Sequence, residues 1–235
     1  MSADARDRLR EADAARTLAI LMMVAYHAAY DVHKLAPGVD IDPFSGGWQA
    51  LQGATGASFL FVVGVSLAIS NGRARARGLA GAALYRRHAR RATQVAGAAL
   101  LVSAATWIAL GDDYVRFGIL HCIAAAMFIG PLLVRLRWGN ALLALVVLVV
   151  GLALKDGPTS DIPGLLVLGV RPPGGAGVDW YPLAPWLAPM PLGPAVGLAL
   201  YAPAGAAACR CRAPRRGSGP PAATRCRYTS CTSRC

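Results

Sequence analysis

Apolar residues fall in six long blocks along the chain, and within each block they are nearly continuous rather than confined to one helix face. The blocks are 15–30, 50–70, 92–110, 117–134, 140–154 and 183–202. A helix needs about 20 apolar residues to cross the hydrocarbon core of a bilayer, with a range of roughly 17–25. The first and fifth blocks are shorter and need flanking residues or a locally thinner bilayer. The pattern therefore predicts an all-α, polytopic transmembrane helix bundle with about six spans.

The composition agrees with this pattern. Hydrophobic residues make up 55% of the chain and charged residues 15%, and the mean hydropathy is +0.45. A soluble domain of this size needs far more charge to cover its surface. A soluble protein with six buried helices is the alternative, and the shortage of charged residues argues against it.

Arginine residues predict how the helices are oriented. The segment 71–91, between the second and third blocks, carries seven Arg and no acidic residue. By the positive-inside rule it is cytoplasmic, and so is the N-terminus. We therefore expect a multi-pass protein of the cell (inner) membrane, with the loops 31–49, 111–116 and 155–181 outside. Topology and contact with the lipid bilayer explain the basic charge, so no nucleic-acid partner is expected. No cleavable signal peptide is evident.

The last 35 residues have a different composition. From Tyr201 onward the chain has seven Arg, no acid and five of its six Cys. A metal or disulfide module is one interpretation, but no His accompanies the Cys residues. A shifted reading frame in GC-rich DNA fits better. We therefore divide the chain into a transmembrane domain, 1–200, and an Arg- and Cys-rich tail, 201–235, expected to be disordered.

The frameshift can be tested on paper. Reading the codons of 222–235 one base earlier allows the peptide GRHSLSVYLLHQPV, which looks like a polar cap followed by an apolar helix. The intact protein would then have at least seven spans. Sequencing of the gene checks this hypothesis.

Four ionisable residues of the first span share one helix face. Arg16 and His27 are eleven residues apart, which at about 100° per residue brings them within roughly 20° of each other. Asp13 and Asp31 lie within about 60° of the same line. Polar groups in a membrane helix usually face the bundle interior. Asp13 and Arg16 have a second interpretation, as caps at the membrane interface.

Two more polar residues are predicted at the depth of His27, near the outer end of the first span. His121 follows the outer start of the fourth block, and Asp179 precedes the sixth. Two imidazoles at similar depth suit general acid–base chemistry, because imidazole titrates near neutral pH. No metal-ligand spacing is recognisable, so no metal is expected. His33 and His88 are expected to be solvated.

Several segments resemble those of a known family. They are 13–16 and 22–31 (DAAR and MMVAYHAAYD), 58–64 (SFLFVVG), 117–121 (FGILH) and 179–186 (DWYPLAPW). In this order they resemble the bacterial relatives of the heparan-α-glucosaminide N-acetyltransferase catalytic domain, which are transmembrane acyltransferases. Thr17 stands where a Gly usually follows the Arg, and the final helix of the family is missing from this chain.

The resemblance implies transfer of an acyl group, namely acetyl from acetyl-CoA. The acceptor would be an amine or hydroxyl of an extracytoplasmic sugar-like or other small molecule. His27 or His121 would be the base or acyl carrier, oriented by Asp31 or Asp179. Arg16 and Asp13, with the loop 73–91, would lie toward the cofactor. A homodimer is left open as the oligomeric state. A non-enzymatic transporter or lipid-binding protein, or an inactive fragment, is left open as the alternative to an enzyme.

Overall fold

The computed structural model describes residues 3–201, apart from positions 37, 135, 137, 138, 156 and 158. Of the predicted tail, 201–235, only Tyr201 is described, and the remaining residues lie outside the described part of the chain. The described chain forms eight α-helices and no strand. They are α1 (Ala3–Leu35), α2 (Gly46–Ala76), α3 (Gly81–Leu110), α4 (Ile119–Leu133), α5 (Gly139–Lys155), α6 (Pro163–Leu168), α7 (Leu183–Trp186) and α8 (Pro189–Tyr201).

The fold is a helical membrane bundle, as the sequence predicts. Among the described helices, α2 and the stretch Gly81–Asp113, which includes α3, are each long and apolar enough to cross a bilayer. Helices α4 and α5 are apolar but shorter. Many large apolar side chains on α1, α3 and α5 point outward. Such a surface suits hydrocarbon and not water.

The sixth apolar block is not one continuous helix. It is divided into α7 and α8, with a turn at Leu187 and Ala188 between them. The stretch 182–194 contains five prolines, which lack the N–H that a helix interior requires: Pro182, Pro185, Pro189, Pro191 and Pro194. Pro189 can nevertheless begin α8, because the first N–H groups of a helix have no partner inside it.

Helix α2 is the centre of the bundle. It packs against α1 on one side and against α4 and α8 on the other. Gly64 of α2 lies directly against the carbonyl oxygen of Met190 and the ring of Pro194, and Gly193 of α8 lies against the backbone of α2. These glycines allow the two backbones to approach more closely than any side chain would permit.

Helices α3 and α5 pack against other partners than α1 does. Helix α3 packs against α4, and α5 packs against α7 and α8. Buried side chains of α2, α4 and α8, among them Leu60, Cys122 and Met190, form the hydrophobic core. Residues of α1 and α3 line the same space, but in the described part of the chain the two helices are not extensively packed against each other.

Candidate functional site

A cavity of about 520 Å³ lies among α1, α2, α3 and the start of α4. We call this side of the molecule the cavity end; it is the end at which α1 and α3 finish and α4 begins. Most of the lining is apolar, with Met23, Phe59, Val102 and Leu110 as examples. The polar lining groups are His27, Tyr26, Tyr30, Gln52, Thr55, Thr106, His121, Asp179 and Tyr181.

His27 is the open imidazole of this cavity. It belongs to the face of α1 that also presents Met23 and Tyr30, one turn before and almost one turn after it. Its side chain is exposed to the cavity, and its ring meets that of Tyr26 edge-on. Within the described part of the chain, neither ring nitrogen accepts or donates a hydrogen bond. Both nitrogens can therefore bind a substrate.

Each ring nitrogen of His121 has a hydrogen-bonding partner. The backbone N–H of Gly118 donates to Nδ1 at 3.3 Å, and Nε2 lies 3.4 Å from the hydroxyl oxygen of Ser103. That hydroxyl donates its hydrogen to the carbonyl oxygen of Val115 at 2.6 Å. Ser103 can then only accept from the ring, so this network favours the tautomer with hydrogen on Nε2. The imidazole closes the first turn of α4.

Asp179 lies at the N-terminus of α4. Its Oδ2 accepts a hydrogen bond from the backbone N–H of Ile119 at 3.2 Å, and Gly118 has no side chain to block the approach. The loop before α7 holds the carboxylate there, because Tyr181 N–H donates to the carbonyl oxygen of Phe117 at 2.9 Å. A helix N-terminus favours a negative charge at this position.

Burial raises the pKa of the Asp179 carboxyl. The Ile119 N–H and the nearby His27 act in the opposite direction, because both favour the ionised form. His27 is therefore close enough to influence the charge of Asp179 across the cavity. An imidazole and a buried carboxylate facing the same space can exchange or stabilise a proton.

Tyr181 adds a neutral hydroxyl to the same wall. It donates to the backbone oxygen of Gln52 at 3.3 Å, and its ring packs over Gly56. Burial, with the charge of Asp179, raises the pKa of Tyr181 well above its ordinary value. The hydroxyl therefore remains protonated at neutral pH. Tyr181, Gln52, Thr55 and Ser103 are not predicted from the sequence as site residues. The only sequence signal is a polar group inside or beside an apolar block.

The structure brings together only part of the predicted site. His27, His121 and Asp179 line the cavity, whereas Asp31 is exposed and does not. Arg16 pairs with Asp13 at 2.6 Å and donates to the Ser66 hydroxyl of α2 at 2.7 Å. Arg16 and His27 are eleven residues apart, about 16 Å along a helix. Neither Arg16 nor Asp13 lines the cavity.

The opposite side of the molecule, which we call the arginine end, has its own groove of about 670 Å³. It is lined by Leu79, Ala83, Arg86, Arg87, Arg90, Arg91 and Gln94. The prediction that His88 is solvated is wrong, because it is 3% exposed and its Nε2 has no partner among the described residues. His88 lies on the buried face of α3, whereas the arginines around it face outward. His33 is exposed and donates through Nδ1 to the carbonyl oxygen of Ile41 at 2.7 Å.

The described residues contain no cluster of three His, Cys, Asp or Glu side chains that could hold a metal ion. The polar groups that line the cavity are imidazole, carboxylate, phenol, amide and aliphatic hydroxyl groups. Their chemistry is proton transfer and hydrogen bonding to a bound molecule.

Comparison with known proteins gives one match. The family described as "Heparan-alpha-glucosaminide N-acetyltransferase, catalytic" matches residues 8–229 of the chain. No curated protein matches the chain, and no solved structure matches it.

Proposed function

The chain belongs to the heparan-α-glucosaminide N-acetyltransferase catalytic family, and from that premise we propose that it moves acetyl from acetyl-CoA to an amine or hydroxyl of a sugar-like acceptor in the cavity. The observation that supports this most directly is the cavity itself. His27, with two free nitrogens, faces the same space as the buried carboxylate of Asp179. A base with an adjacent anion is what deprotonation of a weakly acidic nucleophile requires.

In the proposed reaction, His27 accepts the proton of the acceptor amine or hydroxyl. The nitrogen or oxygen lone pair forms a new bond to the acetyl carbon, and the carbon–sulfur bond of the thioester breaks. His27 then gives its proton to the departing sulfur, so that a free thiol and an acetylated acceptor result. Asp179 stabilises the transient imidazolium by its negative charge.

His121 has a different role in this proposal. Its two nitrogens are engaged by Gly118 and Ser103, so it cannot take a proton from a substrate without breaking the first turn of α4. We assign it to holding that turn, and thereby the N–H of Ile119, in place against Asp179. The alternative in which His121 is the base or the acyl carrier predicts that its removal is as damaging as that of His27.

The donor's phosphates are proposed to bind at the arginine end. The groove of α3 presents four guanidinium groups, and no acidic side chain lines it. Guanidinium groups bind phosphate through paired, charge-assisted hydrogen bonds, so this donor set fits the anionic part of acetyl-CoA. Arg16 lies between this end and His27 along α1. We further propose that the arginine end is cytoplasmic in the cell (inner) membrane, with the cavity end outside.

The test measures the release of free CoA thiol from acetyl-CoA by the purified protein in lipid nanodiscs, with amino sugars as acceptors. We expect His27→Gln to lower kcat by about 100-fold or more, because a positioned general base contributes roughly 10²–10⁴-fold. His33→Gln is the matched control, since His33 lies outside the cavity on the same helix. Equal rates for His27→Gln and the unmodified protein would contradict the assignment.

A transporter is the second candidate, because an unbonded histidine beside a buried carboxylate also suits proton coupling. Such a protein would accumulate or release a solute without consuming acetyl-CoA. The absence of thiol release, together with His27-dependent solute uptake into proteoliposomes, would favour this alternative.

A further inference from the structure

The cavity is open on one side, between α1 and α3. Met23 and His27 of α1 face Val102 and Leu110 of α3 across it. Helix α1 packs mainly against α2 and α3 mainly against α4, and in the described part of the chain there is no extensive packing between α1 and α3. Val102 lines the cavity and is still 39% exposed. We call this gap, bounded by these four residues, the α1–α3 opening.

The surface of α3 beside the α1–α3 opening suits lipid and not water. The outer surface of α3 beside it carries Leu100, Leu101, Trp107 and Ile108, all exposed. The cavity residues of α3 extend from Ala99 to Leu110, about 16 Å along the helix axis. Half of the hydrocarbon core is about 15 Å thick. The length of the opening therefore matches the depth of one leaflet.

The residues that line the cavity differ in polarity from one helix to another. Polar groups that could recognise a sugar come from α1, α2, α4 and Asp179, whereas the α3 side is lined by Ala99, Val102 and Leu110 with one hydroxyl, Thr106. The Thr106 hydroxyl already donates within α3 and accepts from the Val115 N–H. A fully polar sugar chain lying there would lose its hydrogen bonds to water and gain few in return, which is costly for each group. A hydrocarbon chain would lose nothing.

Resting on the proposed acetyl transfer, we propose that the acceptor is amphiphilic: a sugar amine or hydroxyl linked to a hydrocarbon chain. The polar head lies between His27 and Asp179, and the chain leaves through the α1–α3 opening into the leaflet at the cavity end. The acceptor thus enters laterally from the membrane, and the acetyl transfer itself proceeds as described above.

The opening can be narrowed from α3 with a matched control on the same helix. Val102→Trp places a large ring in the opening, whereas Leu101→Trp places the same ring on the lipid-facing side, where Leu101 is 72% exposed. Acetyl transfer is measured in nanodiscs with dodecyl glucosaminide and with free glucosamine. We expect Val102→Trp to lower kcat/KM for the dodecyl acceptor about ten-fold more than for the free sugar, and Leu101→Trp to change neither. The same partitioning of the acceptor into lipid applies to both variants, so it cannot cause the difference.

Equal losses for the two acceptors in Val102→Trp would overturn the inference, as would a free sugar that is used as well as the dodecyl acceptor. Failure of acetyl transfer with every acceptor would instead overturn the proposed function. In that case a photoactivatable dodecyl glucosaminide, without any donor, still tests the opening. Labelling of Met23 or Val102 that dodecyl glucosaminide competes away supports the inference. Labelling found only in the C-terminal segment or at a contact between two copies of the chain means that the acyl chain does not occupy the opening, and overturns the inference.

Discussion

At the scale of single residues, the cavity separates two histidines that look equivalent in the sequence. Both lie at the cavity end of their apolar blocks, yet His121 is bonded on both ring nitrogens. Among the described residues His27 has a partner on neither nitrogen. The difference arises because His121 occupies the first turn of α4, where an N–H of the helix start needs an acceptor. His27 lies in the middle of α1, where every backbone N–H already has one.

Asp179→Asn tests the charge beside His27 without removing the acceptor for the Ile119 N–H, since the amide oxygen of Asn can accept that bond. We expect kcat for acetyl transfer to fall by about 10- to 100-fold, because the imidazolium loses its counter-charge. Asp179→Ala removes both the charge and the acceptor, and we expect it alone to lower the melting temperature as well.

The raised pKa of Asp179 gives this prediction a pH dependence. A carboxyl whose pKa is higher in the folded than in the unfolded chain stabilises the fold most below its unfolded pKa, and this contribution is lost as the pH rises through the folded pKa. Above the folded pKa the ionised group therefore costs stability, so as the pH rises Asp179→Asn should melt at the same temperature as the unmodified protein or higher. A lower melting temperature for Asp179→Asn at pH 7, measured in nanodiscs, would contradict the burial argument.

His121→Gln distinguishes the two histidines directly. Gln can accept from the Gly118 N–H and donate toward Ser103, so it preserves the start of α4. We expect His121→Gln to retain kcat within about ten-fold, against a loss of about 100-fold or more for His27→Gln. Similar losses for the two variants in the thiol-release assay would assign the base or acyl-carrier role to His121.

At the scale of the helices, the approach of α2 and α8 fixes the wall that faces α1. Gly64 permits this approach, and a methyl group there would overlap the Met190 carbonyl and the Pro194 ring. Tyr181 and Asp179 precede α7 on the same chain segment, so a shift of α8 would move both. The packing of α2 against α8 is therefore expected to influence the position of the carboxylate, which the bonds to Ile119 and from Tyr181 to Phe117 hold directly.

Gly64→Ala should destabilise the bundle by about 1–3 kcal/mol, the usual cost of forcing extra atoms into a packed interior. Gly72→Ala is the control: it lies on the same helix with open space around it, and Ala is favoured over Gly in a helix by roughly 1 kcal/mol. Thermal unfolding in nanodiscs should show a decrease for the first variant and no decrease for the second. Equal melting temperatures would mean that α2 and α8 are not in contact as described.

At the scale of the whole molecule, the chain has two chemically distinct ends. The arginine end carries seven Arg between the second and third apolar blocks and no acid there. The cavity end carries the acidic residues of the loop after α1 and of the turn before α4, among them Asp40, Asp42, Asp112 and Asp113. This asymmetry predicts a single orientation in the membrane.

Cysteine labelling tests that orientation. In a background in which all six Cys are replaced, Ser45→Cys in the loop before α2 should react with a membrane-impermeant maleimide in intact spheroplasts. Gly78→Cys in the loop before α3 should react only after permeabilisation. Labelling of Gly78→Cys in sealed spheroplasts would reverse the topology and place the cavity on the cytoplasmic side.

The sequence by itself determined the class of the protein and the approximate depth of its polar groups. Continuous apolar blocks have one stable environment, the bilayer, and a position along such a block is also a position across the membrane. His27, His121 and Asp179 could be placed at a common depth for this reason. The reading frame of the tail also remains a prediction from sequence, because that segment lies outside the described residues.

Only the tertiary structure decided which of those groups share a cavity and which nitrogens are free. Asp31 shares the helix and the approximate direction of His27 but does not line the cavity, because depth and angle on one helix do not fix where the neighbouring helices pack. Ser103 is an ordinary polar residue in an apolar helix until the turn before α4 brings Val115 and His121 to it. The gap between α1 and α3 has no sequence signal, since it results from which pairs of helices pack and which do not.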